Sequence, residues 1–490
     1  MLTNLIQYIK TYTKILDLQR LNSYKCIKVI IEVFKISSHS SQMVSFGILF
    51  AIQSLTAETL GFTIANFSSD IIKLYYMAIG TSNNFTAADA AVQTLLPYLS
   101  IASLVGFLLA SLTFAPIVSW LGYKKTGLVG AAGSVIFNVL LCIPFNVYYW
   151  MVMRLFAGFF VVLFQQPSII IVGEHAESSK RGLLGVMFQF NVTLGILVAS
   201  LVLLAIRTYQ DKYNAWWVNF VVTFIWPLMG FVLLFFVPDV KPREEKEISP
   251  MLLFKEKKYL KVLILSVMLG LNQQCTGINA VIVYATETFK DTFKTSGGGV
   301  HPLSSVFGSI IINGVNFVAT LGALAFIEKL GRKILLFGGV GICFVAQVAL
   351  MINYILAKSN TALLITASIF FIIGFEIGPG PIFFVFASEL FPVEAKSLLS
   401  SILLSFNYIP NIFVVVLFPI LTKAAAWSPF VTYLIVMGIT TAVLLFTTPE
   451  TKGKTQEEIQ MILTGSAPAA SSEAEKGSEV RFGSGVMTAE

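Results

Sequence analysis

Runs of about twenty apolar residues recur along this chain, each long enough for a helix rising about 1.5 Å per residue to cross a hydrocarbon slab about 30 Å thick. They fall near 43–66, 95–119, 126–145, 147–172, 183–206 and 215–237, and again near 261–289, 301–327, 334–356, 361–388, 396–422 and 427–447. With 56% hydrophobic and only 12% charged residues, the composition excludes a soluble surface. The expected fold is an all-α membrane protein of twelve transmembrane helices in two pseudo-symmetric six-helix bundles, 43–237 and 261–447. An N-terminal tail (1–42), a charged linker with short helices (238–260) and a C-terminal tail (448–490) complete it, the last too polar to pack from about 465.

The net charge of +7 is scattered in short clusters between apolar runs, which argues against a nucleic-acid surface. Cys26, Cys142, Cys275 and Cys343 lie far apart, so neither a disulfide framework nor a metal site is expected, and no cofactor is implied. No cleavable signal peptide is visible in the first forty residues. Roughly three quarters of the Lys and Arg residues outside the spans fall in the two tails and in the loops on their side, which predicts cytoplasmic termini. The loop after the first span then faces outward and holds Asn84-Phe85-Thr86, a candidate glycosylation site. Lys10, Lys14, Arg20, Lys25, Lys28 and Lys35 alternate with apolar residues, a pattern open to an amphipathic helix on the inner leaflet or to a solvated tail.

The two halves repeat. Leu121-Gly122-Tyr123-Lys124 follows the second span and Leu330-Gly331-Arg332-Lys333 the eighth, while Glu174 to Arg181 follows the fourth and Glu389 to Lys396 the tenth. Duplicated halves are the build of carriers that rock about a central site. The charged clusters can bridge helix ends, so Glu174, Arg181, Glu328, Arg332, Glu389 and Lys396 are read as an inner latch that holds the cytoplasmic mouth shut.

Polar residues inside a span are expensive unless they face a cavity or one another. The seventh span holds the densest group, with Gln273, Gln274 and Asn279 as the candidate solute-binding amides; an amide both donates and accepts, so it matches a hydroxylated solute without charge. Gln189, Asn316 and Asn407 extend the set. Gly374, Gly378, Pro379, Gly380 and Pro381 should break the tenth span beside Glu376, Phe383 and Phe384, making a gate and a stacking wall. Glu58 lies within the first span, either protonated and coupling transport to protons or sitting in a watery vestibule, with Arg154 as its candidate partner. Neither a nucleophile nor a paired acid is placed for catalysis, so an enzyme is not expected.

These residues resemble the sugar porter family of the major facilitator superfamily, in particular its GLUT-like hexose transporters, over residues 43–460. Gln273-Gln274-Cys275-Thr276-Gly277-Ile278-Asn279 with Tyr284, Gly378-Pro379-Gly380-Pro381-Ile382 and Pro449-Glu450-Thr451-Lys452-Gly453 are similar to its motifs, as are Glu328 to Lys333 and Glu174 with Arg181-Gly182. The resemblance implies that Gln189, Gln273, Gln274, Asn279, Asn316, Glu376 and Asn407 contact a sugar. Departures are Phe384 and Tyr408 in place of tryptophans, Val283 in place of a tyrosine, and Ser119, Trp120 and Tyr123 in place of charged residues, which should weaken the first-half latch. Gly270 stands where some glucose carriers have another glutamine. The expected function is alternating-access transport of a hexose, glucose first, across a plasma membrane, with lipid as surroundings and protons as a second candidate cargo. A proton symporter using Glu58 is one alternative, and a sugar sensor that does not transport is another.

Overall fold

The computed structural model describes residues 46–65, 75, 85–208, 215–238, 250–279, 304–356 and 360–464. The first half contains α1 (Phe46–Ala65), α2 (Phe85–Leu121), α3 (Tyr123–Leu141), α4 (Val147–His175), α5 (Ser178–Thr208) and α6 (Val218–Leu234). The second contains α7 (Lys257–Cys275), α8 (Ser304–Leu330), α9 (Arg332–Ile355), α10 as two pieces (Thr361–Ile377 and Pro379–Glu389), α11 (Lys396–Ala424) and α12 (Ser428–Thr447). Short helices Pro250–Lys255 and Gln456–Thr464 flank α7 and follow α12. Among the described residues the secondary structure is helical throughout, and nine of the helical segments are long and apolar enough to cross a membrane. Asn84, the basic N-terminal tail, Val283, Tyr284, much of the linker and the segment beyond 464, for which expectations were stated above, lie outside the described residues.

The polarity is inverted relative to a water-soluble protein. Large apolar side chains stand exposed on the outside, Trp120, Phe446, Tyr148 and Val345 among them, while Gln165, Gln166, Asn272, Asn316 and Asn353 are buried. Lipid tails solvate the former, and only protein contacts can satisfy the latter.

Glycine sets the turns of the repeat. Gly122 and Gly331 adopt φ of 77° and 87°, and each N–H bonds back to a carbonyl four residues earlier, of Val118 at 2.7 Å and Ile327 at 3.2 Å. The two corners are thus built alike, because the left-handed region is costly for any residue with a Cβ. The lysines after them also correspond: Lys124 donates to the Phe235 carbonyl at 3.0 Å, and Lys333 to that of Leu445 at 3.2 Å, each tying its corner to the end of the last helix of its own half.

Two helices are interrupted. The tenth breaks at Gly378, as the Gly-Pro run predicts: a Cβ there would lie 2.7 Å from the Leu335 carbonyl oxygen, and Pro379 opens the second piece, where its missing N–H costs nothing. The seventh was expected to run unbroken through 261–289, but α7 ends at Cys275 because Gly277 takes φ of 83°. Across the halves α5 packs on α8, α2 on α11, and the second piece of α10 on both α4 and α5.

Candidate functional site

The interruption of α7 brings the side-chain amides of its last turn and of Asn279 together, while the Gln273 and Gln274 carbonyls are taken by the Thr276 hydroxyl and the Gly277 N–H. Gln274 donates to Asn407 Oδ1 at 3.1 Å and to Gln273 Oε1 at 3.4 Å, Asn279 donates to Gln274 Oε1, and Asn407 donates to Gln273 Oε1. Gln273 also donates to the Gly380 carbonyl at 3.3 Å, in the second piece of α10. One uncharged network therefore joins α7, α10 and α11. A second pair crosses between the halves: Gln189 of α5 places a single Nε2 at 3.1 and 3.0 Å from the two oxygens of Glu376 in α10. Gly380 lies beside that carboxylate, its would-be Cβ 3.3 Å from Glu376 Oε2, so both clusters meet at the break in α10.

Phe384 stacks near Phe188 of α5, ring centroids 4.4 Å apart, and meets Phe383 edge-on at 5.1 Å. Asn316 is buried on α8 with its Oδ1 enclosed and unbonded, joined to neither network. Glu58 and Arg154 are not brought together, contrary to the pairing expected from sequence. Glu58 Oε2 is enclosed without a hydrogen-bond partner, whereas the Arg154 guanidinium sits over the Trp150 ring at 4.8 Å. The two lie on different helices, and Trp150, one turn before Arg154, supplies a π face that the sequence pattern did not reveal.

The latch residues converge at the opposite end of α10. Arg332 bonds Glu389 at 3.0 Å, both side chains nearly inaccessible, and Glu328 at 3.3 Å, which is half exposed. Lys396 of α11 pairs with Glu174 of α4, an ion pair that crosses the halves. Arg181 donates to the Ala176 carbonyl at 3.4 Å and stands within electrostatic reach of Glu389 and Lys396. The Arg332 side chain lies directly on Gly182 of α5, whose Cβ would fall 1.9 Å from its Nη2. In the first half, Trp120 is exposed and Tyr123 packs near Phe114 rather than bridging by charge.

Several contributors were given no contact or role of their own by the sequence. Glu450 Oε1 accepts the Arg332 N–H at 3.1 Å and Oε2 the Lys333 N–H at 2.9 Å, capping the first turn of α9, and Thr451 donates to Glu389 Oε2 at 2.6 Å. The motif 449–453 is thus wired into the latch, a role legible in principle from a carboxylate and hydroxyl placed just past a helix end. Asn272 bonds Thr440 and Thr441 of α12 at 2.9 and 3.0 Å, which makes it a helix tie beside the central amides. Gln165 of α4 accepts from Tyr408 of α11 at 2.9 Å, and Asn411, one turn after Asn407, is also buried.

Chemically, every group in the central network carries donors and acceptors without net charge. Their mutual bonds can be exchanged for hydroxyl groups of a neutral solute at little electrostatic cost.

Comparison with known proteins agrees with this architecture. The family model described as "Sugar (and other) transporter" matches residues 49–242 and 240–463. The dog protein "Solute carrier family 2, facilitated glucose transporter member 3" is 28% identical over 378 residues, covering 68% of this chain and 73% of the relative. "Facilitated trehalose transporter Tret1" of Drosophila grimshawi is 26% identical over 459 residues, 84% of this chain; the chain spans about half, 47%, of that relative's length. Among solved structures, the proton:xylose symporter XylE bound to 6-bromo-6-deoxy-D-glucose superposes with a TM-score of 0.73 at 21% identity, covering 85% of this chain and 98% of that one. The inward-open conformation of the same transporter from E. coli gives 0.62 at 21% identity, covering 84% and 99%. Such relatives are transporters, not enzymes. With the family model spanning both six-helix halves, the chain belongs to the sugar porter family of the major facilitator superfamily.

Proposed function

We propose that the protein is a hexose carrier working by alternating access, with glucose as the first substrate to test, and that it works as a facilitative uniporter. The observation that carries this reading is the uncharged network of Gln273, Gln274, Asn279 and Asn407 beside Gln189–Glu376. The four amides carry no charge and offer the paired donors and acceptors that sugar hydroxyl groups need. Phe384 and Phe188 supply an apolar face for the carbon side of a pyranose ring. The relatives named for glucose and for trehalose both belong to the chemistry of neutral carbohydrates.

Sugar binds between the halves and rocking of one half against the other exposes it on alternate sides. The latch marks the cytoplasmic mouth, closed in the conformation described, and both termini then lie in the cytoplasm of a cell whose plasma membrane carries the protein.

Uptake of labelled glucose into proteoliposomes, with and without a proton gradient, tests the proposal, with trehalose as competitor. Saturable uptake that is indifferent to the gradient supports uniport of a hexose; no saturable uptake of any hexose refutes it. The enclosed, unbonded Glu58 Oε2 favours one second reading, proton symport. In that case uphill accumulation collapses with the gradient and is abolished in Glu58→Gln.

A further inference from the structure

From the latch to the amide network, α4 and α11 meet through long side chains, and these are polar rather than apolar. Gln165 and Gln166 are buried, and so are Ser400, Ser401 and Tyr408 of α11. Their position along the helices follows from the latch pair. Gln166 lies eight residues before Glu174, about 12 Å along α4, and Ser400 lies four residues after Lys396, about 6 Å along α11. Asn407, which belongs to the central network, follows Ser400 by about 10 Å. Gln166, Ser400 and Ser401 therefore lie in the stretch between the central amides and the latched mouth, while Gln165 with Tyr408, the residue after Asn407, adjoins the central amides at its far end.

Its hydrogen bonding is incomplete. Gln165 Oε1 accepts from the Tyr408 hydroxyl at 2.9 Å, but its Nε2 is enclosed without a partner. Gln166 Nε2 donates to the Ser400 carbonyl at 3.4 Å, a long bond, while its Oε1 and Ser401 Oγ are enclosed and unbonded. An interface needed only for packing would be cheaper with alanine or leucine at these places, since buried amide atoms without partners oppose closure. Both of the bonds that are made, Gln165 with Tyr408 and Gln166 with Ser400, cross from one half to the other and must break when the halves part.

We propose that this seam is a second, inner sugar subsite: Gln165 and Gln166 of α4, with Ser400, Ser401 and Tyr408 of α11, form the polar lining of the exit route once the latch opens. Hydroxyl groups of the departing sugar then take up the amide and hydroxyl atoms left unsatisfied in the closed state. The inference rests on the transport reading, and it adds residues that neither the motifs nor the central network include.

Two cysteine variants, S401C and Q166C, test whether the seam opens, with a hydrophilic maleimide applied from the latch side of oriented proteoliposomes and the parent protein's cysteines as background. Labelling above background, slowed several-fold by transported sugar, is expected in both. A seam that stays closed to the reagent in protein that transports sugar overturns the proposal, as does labelling that sugar leaves unchanged. Gln166→Ala is expected to raise the half-saturation constant for sugar presented at the latch side at least threefold, with less than a twofold change at the opposite side; equal change on both sides contradicts an inner subsite. Sugar flux through the parent protein is the control for the transport reading. If that flux is absent, the reading and the sugar contact fail together, while reagent access still decides whether the seam opens.

Discussion

Replacing Glu174 by Gln probes the ion pair that locks the two halves together. Lys396 is almost wholly enclosed, its side chain 4% exposed, while Glu174 is 31% exposed. Removing one partner of a fully buried pair costs about 3–5 kcal/mol, and an exposed pair contributes about 0–1 kcal/mol. With one buried and one partly hydrated partner, the closed state should lose about 1–3 kcal/mol. The lysine is then left beside Arg181, a like charge, which adds to the cost. In the open state both groups are hydrated and the substitution changes little. The difference appears as a shift toward the inner-open state of about 5- to 150-fold. Sugar presented from the opposite side then sees fewer competent carriers, and its apparent affinity falls in proportion. Spin labels on the latch ends of α4 and α11 would report the population, and initial uptake rates would report the affinity. A charge swap, Glu174→Lys with Lys396→Glu, should recover part of both. A distance distribution in Glu174→Gln that matches the parent within a factor of two in population would refute the reasoning and reduce the pair to a surface contact.

Other consequences follow from the same geometry. Gln274→Ala removes the donor to Asn407 and the acceptor of Asn279, so uptake kcat/KM should fall by about 5- to 150-fold, the equivalent of about 1–3 kcal/mol for unpaired buried polar groups, as measured in proteoliposomes. Gly182→Ala places a methyl group 1.9 Å from Arg332 Nη2 and should wedge the inner mouth, seen as increased access of a hydrophilic reagent from the latch side. Gly277→Ala forces a Cβ into φ of 83° and within 2.7 Å of the Tyr433 ring; a cost of at least about 1–2 kcal/mol should lower the melting temperature in detergent, and an unchanged Tm would remove the argument for glycine there. Thr451→Val removes the 2.6 Å bond to Glu389 while preserving shape, and is expected to loosen the latch by about 1 kcal/mol, read in the same spin-label measurement.

Hydropathy and repetition, both one-dimensional signals, determined a great deal. The expense of unsatisfied backbone in lipid leaves helices as the only spanning form for such runs, so their number, the duplicated halves and the break at Gly378-Pro379 are all legible in the chain. The clustering of Gln273, Gln274 and Asn279 in one span marked them, for the same reason, as groups that must meet one another or a cavity, and they bond to one another. The interruption of α7 was less visible, because a lone glycine in an apolar run does not announce a positive φ. Which amides bond to which, the separation of Arg154 from Glu58, and the recruitment of Glu450 and Thr451 to the latch belong to tertiary structure. Each depends on helices distant in sequence lying within about 3 Å at a particular rotation, and helical periodicity fixes the face of one helix but not the partner that meets it. The polar seam of Gln165 and Gln166 shows the same division: its residues are plain in the chain, but only the tertiary approach of their side chains to Tyr408 and Ser400 reveals that amide atoms are shut away there without partners.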